Sequence, residues 1–314
     1  MVQLQHRATV LLRREMRLYA PDVSINYTMA DETDLSAPEL SADDFLRLDD
    51  PYFESGNVAI VTGAASGIGQ ATAVALAVNG LTVVGADIDA EGLAGTGDLV
   101  ESFDADGEYH GVETDLTDDE DVAAVVAAAA EEGALRYVAN IAGMQHIASI
   151  AEFPMEKYDL LTDIMLRSPF KMAQEAIPHI EATEDGVGAI GNMSSVHGHY
   201  ATKDKPAYIT AKHGLTGLTR AIAAEGNGTL RGFSVSVGYV LTPLMVNQIE
   251  DTAEERGISK QEVIENVMLG QARTKEMMTP AEVANLFAFG FSSHAKHLNG
   301  ADLLFDGGYT HTYE

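Results

Sequence analysis

Residues 58–80 read VAIVTGAASGIGQATAVALAVNG. A short β-rich run enters a glycine loop and leaves it as an apolar-periodic helix. Gly63 permits the tight turn, while Gly67 and Gly69 let the backbone approach whatever sits at the positive helix N-terminus. Ser66 and Ile68 belong to the same loop. Alone, such a turn is an ordinary strand-to-helix connection. With the strand and helix flanks both present, the GxxxGxG spacing predicts a cradle for a dinucleotide pyrophosphate.

The rest of the chain repeats the strand–helix alternation. Strands are expected at LTVVGAD (81–87), YHGVETD (109–115), RYVANIAG (136–143), GVGAIGNMSS (186–195), GFSVSVG (232–238) and GADLLFDGG (300–308). Helices are expected between them, including long ones at about 155–182 and 206–226 and a final one from Pro280. This pattern predicts an α/β fold, a Rossmann-like doubly wound parallel sheet forming a single domain over 57–314. Ligands in such sheets sit at the carboxyl ends of the strands. The segment 246–277 reads as a lid over a substrate.

Residues 1–56 fit this alternation poorly. The first 28 carry Arg7, Arg13, Arg14 and Arg17 against Glu15 and Asp22, and 31–54 are acid-rich with Pro38 and Pro51. They read as an extension, partly disordered or loosely packed, with Met29 as an alternative start.

Asp+Glu number 48 against 19 Lys+Arg, a net charge of −29. Such a surface repels nucleic acid and anionic lipid, so neither is expected as a partner. The acids are spread along the chain, a pattern that suits a very salty cytoplasm where ions screen the self-repulsion. A merely acidic protein is the alternative. There is no cysteine, no apolar run of about 18 residues and no apolar leader after Arg13 and Arg14, so a cytoplasmic protein is expected. No metal site is expected.

Asp87 ends the second strand, where a carboxylate can accept both ribose hydroxyls of NAD and repel the extra phosphate of NADP. A helix cap is the alternative role. Asp115, with Leu116 beside it, ends the third strand near the expected adenine; a cap is equally open there. Asn140 and Gly143 end the fourth strand, close to a cofactor ribose.

Three of the few lysines, Lys203, Lys205 and Lys212, fall in SSVHGHYATKDKPAYITAKHG (194–214). Tyr208 and Lys212 are spaced i, i+4 and share one helix face. A phenol titrating near 10 needs a neighbouring cation to act as an acid–base at neutral pH. Lys212 supplies one and can also reach a cofactor ribose. Ser195, at a strand end, can bind the reacting oxygen.

Together TGAASGIG, NIAG, Ser195 and YITAK resemble the short-chain dehydrogenase/reductase family, from about Asn57 to the C-terminus. The resemblance implies an NAD-dependent oxidoreductase with Ser195, Tyr208 and Lys212 catalytic, and a homotetramer built on the two long helices. A narrower resemblance, through GMQHIASIAEFPMEKYD, SSVHG, KPAYITAKHGLTGLTR, VLTPLMVNQI and FDGGY, is to dehydrogenases of D-3-hydroxybutyrate. It implies a small anionic hydroxy-acid or keto-acid substrate whose carboxylate meets Gln145, His197, Lys205 and Gln248. Tyr239 and Thr242 fall at further positions near the substrate and nicotinamide.

The chain departs from the family pattern at Ile141, at 233–238 and at Met165, which stands where the family has a helical Asn that holds a relay water. A methionine has no group for that task. Two other readings stay open: a 3-oxoacyl-thioester reductase or polyol/sugar dehydrogenase of the same family, and a catalytically weak binding or regulatory protein on the same fold.

Overall fold

The structure is a computed structural model that describes residues 36–312. Seven strands form one all-parallel sheet: β1 (Asn57–Thr62), β2 (Thr82–Asp87), β3 (Tyr109–Glu113), β4 (Ala134–Asn140), β5 (Gly188–Met193), β6 (Leu230–Val237) and β7 (Ala301–Phe305). Their spatial order is β3-β2-β1-β4-β5-β6-β7. The order reverses between β1 and β4, opening a crevice at their carboxyl ends. Strands β1, β4, β5 and β6 are buried along nearly their whole length because helices cover both faces.

On one face lie α1 (Gly67–Val78), α2 (Ala90–Ser102) and α9 (Pro280–Phe291). Their apolar residues join those of the strands, with Leu76, Val83, Phe233 and Phe287 fully buried. On the other lie α3 (Asp119–Glu132), the pair α4 (Met155–Thr162) and α5 (Ser168–Glu181), and α6 (Pro206–Glu225). A π-helical turn, Asp163–Arg167, joins α4 to α5 and carries Met165, which is fully buried. The expected alternation and single α/β domain are therefore what the chain forms.

The expected lid lies between β6 and α9. It contains α7 (Pro243–Arg256) and the short α8 (Lys260–Glu262), followed by a π-helical turn over Val263–Met268. Its two ends are fastened together: Leu241 N donates to Met278 O at 2.8 Å and Met278 N to Tyr239 O at 3.0 Å.

The extension needs a correction. Residues 1–35 lie outside the described residues, but 36–56 are not loosely packed. Phe45 and Phe53 are buried in the core on the α1–α9 face. Asn79, at the end of α1, accepts from Leu48 N at 2.7 Å and donates to Leu46 O at 2.8 Å. Asn285 of α9 accepts from Leu46 N and donates to Asp44 O, both at 2.8 Å. Two asparagine side chains thus satisfy a backbone whose only regular element is a single 3-10 turn at Ala42–Asp44.

Candidate active site

A pocket of about 460 Å³ opens along the carboxyl ends of β1, β2, β4, β5 and β6. It collects every residue proposed from sequence except Asn140.

The glycine loop forms one end. Gly63 has φ +72 and Gly67 φ +55, conformations that favour glycine. A Cβ on Gly69 would lie 1.9 Å from Gly63 O, so no side chain fits. Ser66 precedes α1 without a side-chain cap bond, leaving the first amides of that helix directed at the pocket. That cradle fits a pyrophosphate. Thr242 caps α7, accepting from Met245 N at 3.3 Å. A Cβ on Gly67 would meet its methyl at 3.3 Å.

Asp87 does not cap α2; Asp89 does, accepting from Gly92 N at 3.1 Å. Asp87 instead accepts from Ala65 N at 3.2 Å and Asp89 N at 3.1 Å, which pins its carboxylate beside the glycine loop. Asp115 accepts from Thr117 N and Oγ1 at 2.9 and 2.7 Å, bonds that lower its pKa. The cap of α3 is Asp118. Leu116 and Gly143 line the wall as expected.

Asn140 is the exception. Its amide donates to Asn192 Oδ1 at 2.9 Å, and Asn192 donates to Thr219 Oγ1 at 3.0 Å. This buried bridge ties β4, β5 and α6 under the pocket floor. The neighbouring strand, rather than the pocket, claims the side chain.

Ser195, Tyr208 and Lys212, the trio expected from the sequence to be catalytic, meet where β5 ends. Ser195 opens a turn after β5 and its Oγ accepts from His197 N at 3.2 Å. Pro206 starts α6, and that helix brings Tyr208 and Lys212 to the same wall. Lys212 Nζ lies 5.4 Å from the Tyr208 ring centre and donates to Met193 O at 2.6 Å. Lys212 is buried without a carboxylate partner among the described residues, and that desolvation brings its pKa down to about 7. Burial raises the Tyr208 pKa, and a hydrogen bond with Ser195 opposes the rise. The protein alone therefore leaves Tyr208 high; a cation added at the site is what would bring it down.

The far end holds Gln145, His197, Lys205, Tyr239 and Gln248. Gln145 Oε1 is buried without a hydrogen-bond partner. Lys205 precedes α6, and desolvation lowers its pKa. Burial, with Lys205 nearby, lowers the His197 pKa to about 4, so the ring is neutral at ordinary pH. Both ring nitrogens already face hydroxyls: Nδ1 is 3.4 Å from Ser195 Oγ and Nε2 is 3.1 Å from Thr202 Oγ1.

Thr202 gave no signal in the sequence, because only the fold of loop 199–205 carries it back to His197. Tyr309 was also missed, although FDGGY was in view. Its ring stacks on Tyr200 with centres 5.8 Å apart and meets Tyr239 at 6.0 Å, backing the pocket wall with phenols. Met165 packs under Gly143, whose Cβ would be 3.4 Å from its sulfur.

A glycine cradle beside Tyr208, Lys212 and Ser195 can bind a dinucleotide and move a proton next to it. A family model described as enoyl-(acyl carrier protein) reductase matches residues 63–310. The chain belongs to the short-chain dehydrogenase/reductase family of oxidoreductases, and the site fits its NAD(P) cofactor. It is 36% identical over 264 residues to the D-beta-hydroxybutyrate dehydrogenase of Rhizobium meliloti (strain 1021), covering 80% of this chain and 98% of that one. It is 35% identical to the D-threitol dehydrogenase of Mycolicibacterium smegmatis, covering 87% and 98% respectively. Among solved structures, an actinorhodin polyketide ketoreductase with NADPH superposes with a TM-score of 0.76 at 26% identity, covering 82% of this chain and 98% of that one.

Proposed function

We propose that this protein is an NAD-dependent dehydrogenase that interconverts (R)-3-hydroxybutyrate and acetoacetate. The observation that carries the reading is the separation of charge along the pocket. The lining acids, Asp87 and Asp115, sit at the glycine-loop end, and the lining lysines, Lys205 and Lys212, sit at the other. Neither lysine has a carboxylate partner among the described residues, in a chain with 48 acids. A buried ammonium without a counterion is costly, and a substrate carboxylate supplies one.

NAD, when bound, supplies the hydride acceptor. The chain's own residues do the remaining work. Lys205 takes the carboxylate, with Gln145 and Gln248 as neutral donors and His197 as the neutral wall beside them. Tyr208 takes the hydroxyl proton as the carbinol carbon loses its hydride, and Ser195 stabilises the charge that develops on oxygen. Lys212, held by Met193 O, would meet the ribose of the bound cofactor. Asp87 favours NAD because, among the described residues, no lysine or arginine lines its end of the pocket to meet a further phosphate.

Lys205→Ala tests the clamp. The KM for acetoacetate should rise on the order of 10- to 100-fold, the value of a charge-assisted bond. The KM for an uncharged ketone should barely move. Equal effects on both would end the carboxylate reading.

A polyol or sugar-alcohol dehydrogenase is the second reading. The phenol of Tyr239 favours it, since it offers a polar group in the pocket lining to a substrate rich in hydroxyls, with Tyr309 packed against it. A panel of hydroxy acids and polyols with NAD and NADP, run in multimolar KCl to suit the −29 charge, separates the two. We place the protein in the cytoplasm as a homotetramer. Met155 on α4 and Phe170 on α5, 64% and 61% exposed, are the apolar residues that support assembly.

A further inference from the structure

We infer that His199 is a positioning residue: docked on Asp302 of β7, it holds the loop that presents His197 and Lys205 to the pocket. The inference rests on the proposed carboxylate clamp and deepens it, by assigning what keeps the clamp in place.

The chain between β5 and α6 has little structure of its own. After the 3-10 turn Val196–Gly198 it runs as turns and irregular backbone to Pro206. Asp204, directly ahead of Lys205, has φ +66, an uncommon conformation for a residue with a side chain. Holding such a stretch in one shape costs conformational entropy, so contacts elsewhere must offset it. The two ends are fixed differently. Ser194 N donates to Val235 O at 2.8 Å, which seats Ser195 at the strand end. Tyr208 and Lys212 are carried by α6. The stretch between them, with Lys205 at its close, needs its own anchor.

His199 supplies it from outside the pocket, since neither His199 nor its partners line the cavity. Its Nε2 lies 3.0 Å from Asp302 Oδ2 and 3.1 Å from Ser236 Oγ. The other carboxylate oxygen, Oδ1, accepts from Ser234 Oγ at 2.5 Å and from Ser236 Oγ at 2.9 Å. Both serines stand on β6, 1% and 0% exposed. A hydroxyl has one proton, and Ser236 gives its own to Oδ1. Nε2 must therefore carry a proton, which it shares between Oδ2 and Ser236 Oγ. Among the described residues no other side chain donates to Oδ2. The carboxylate thus has one oxygen satisfied by the sheet and one reserved for the loop. A bond to a carboxylate is directional and stronger than one between neutral groups, so it fixes where the loop lies. Tyr200, the next residue, adds a stacking contact with Tyr309 just beyond β7.

His199→Leu removes the donor without entering the pocket. Asp302 keeps both serines, and its side chain is 17% exposed, so water can replace the lost partner and the protein should fold with little change in melting temperature. KM for acetoacetate should rise about tenfold, the low end for a charge-assisted bond, while kcat holds and KM for an uncharged ketone barely moves. Hydrogen exchange of the 199–205 amides should quicken about tenfold, with β5 and α6 unchanged. His199→Gln, whose amide can donate to Asp302, should restore both. Unchanged exchange in His199→Leu would overturn the tether. Equal losses on both ketones would also overturn it, since they mark a merely structural role. Lys205→Ala, measured alongside, separates the two claims. If it distinguishes the ketones and His199→Leu does not, the clamp stands and the positioning role falls. If it fails to distinguish them, the carboxylate reading falls, and the exchange result alone decides whether His199 holds the loop.

Discussion

The two rims of the sheet treat buried cations in opposite ways. At the amino-terminal rim, Arg231 of β6 gives its guanidinium to five carbonyls around the end of α9: Gly290, Phe291, Ser292, Ala295 and Leu298. Arg136 of β4 donates to Asn57, Asp185 and Val187 and lies 4.8 Å over the Tyr52 ring. It draws the Asp185 carboxyl down to about 2. At the carboxyl-terminal rim, Lys212 has one carbonyl, and Lys205 lacks an ion pair among the described residues. The arginines are satisfied and hold the fold. The lysines are left short of partners in the pocket, which is where the proposed substrate carboxylate would supply the missing charge.

Substitutions at the two rims should therefore separate activity from stability. Tyr208→Phe, beside the lysines, should lower kcat on the order of 10³- to 10⁴-fold with little change in melting temperature. Steady-state rates and calorimetry on the same sample check this. Arg231→Met should do the reverse, costing about 3 kcal/mol of stability because several buried carbonyls lose their donor. Activity per folded molecule should hold. An Arg231→Met protein that melts normally would break the comparison at the amino-terminal rim.

The comparison also shows what the sequence could reveal. Strand–helix alternation, the glycine loop and the cluster from Ser194 to Gly214 were legible because each is a local pattern. Arg231 and Arg136 carried no signal, since a guanidinium's partners are set by how loops return to the rim. The anchoring of 36–56 was hidden for the same reason: the backbone of Leu46 meets Asn285, which is 239 positions away. Asn140 was misplaced by a local choice. At a strand end, one side chain turns to the ligand and the next into the sheet, and the competing bond to Asn192 decided it. Thr202 needed the loop fold before its hydroxyl had a meaning.

Asp87 sharpens the comparison at its smallest scale, because it is an acid at the ligand-binding rim with amide partners of its own. Ala65 N and Asp89 N each take one of its oxygens, yet a carboxylate has about four acceptor sites, so two are left for a ribose diol. Asp87→Ser keeps a short acceptor and removes the charge that would repel a phosphate. The ratio of kcat/KM for NAD over NADP should then fall about tenfold, equivalent to about 1.4 kcal/mol of differential binding. The clamp at the lysine end should be untouched, so KM for the hydroxy acid should not move. A cofactor ratio that stays fixed would mean that the two amides, rather than the ribose, are the whole purpose of this carboxylate. Asp87 would then belong with the arginines as a group that holds the fold.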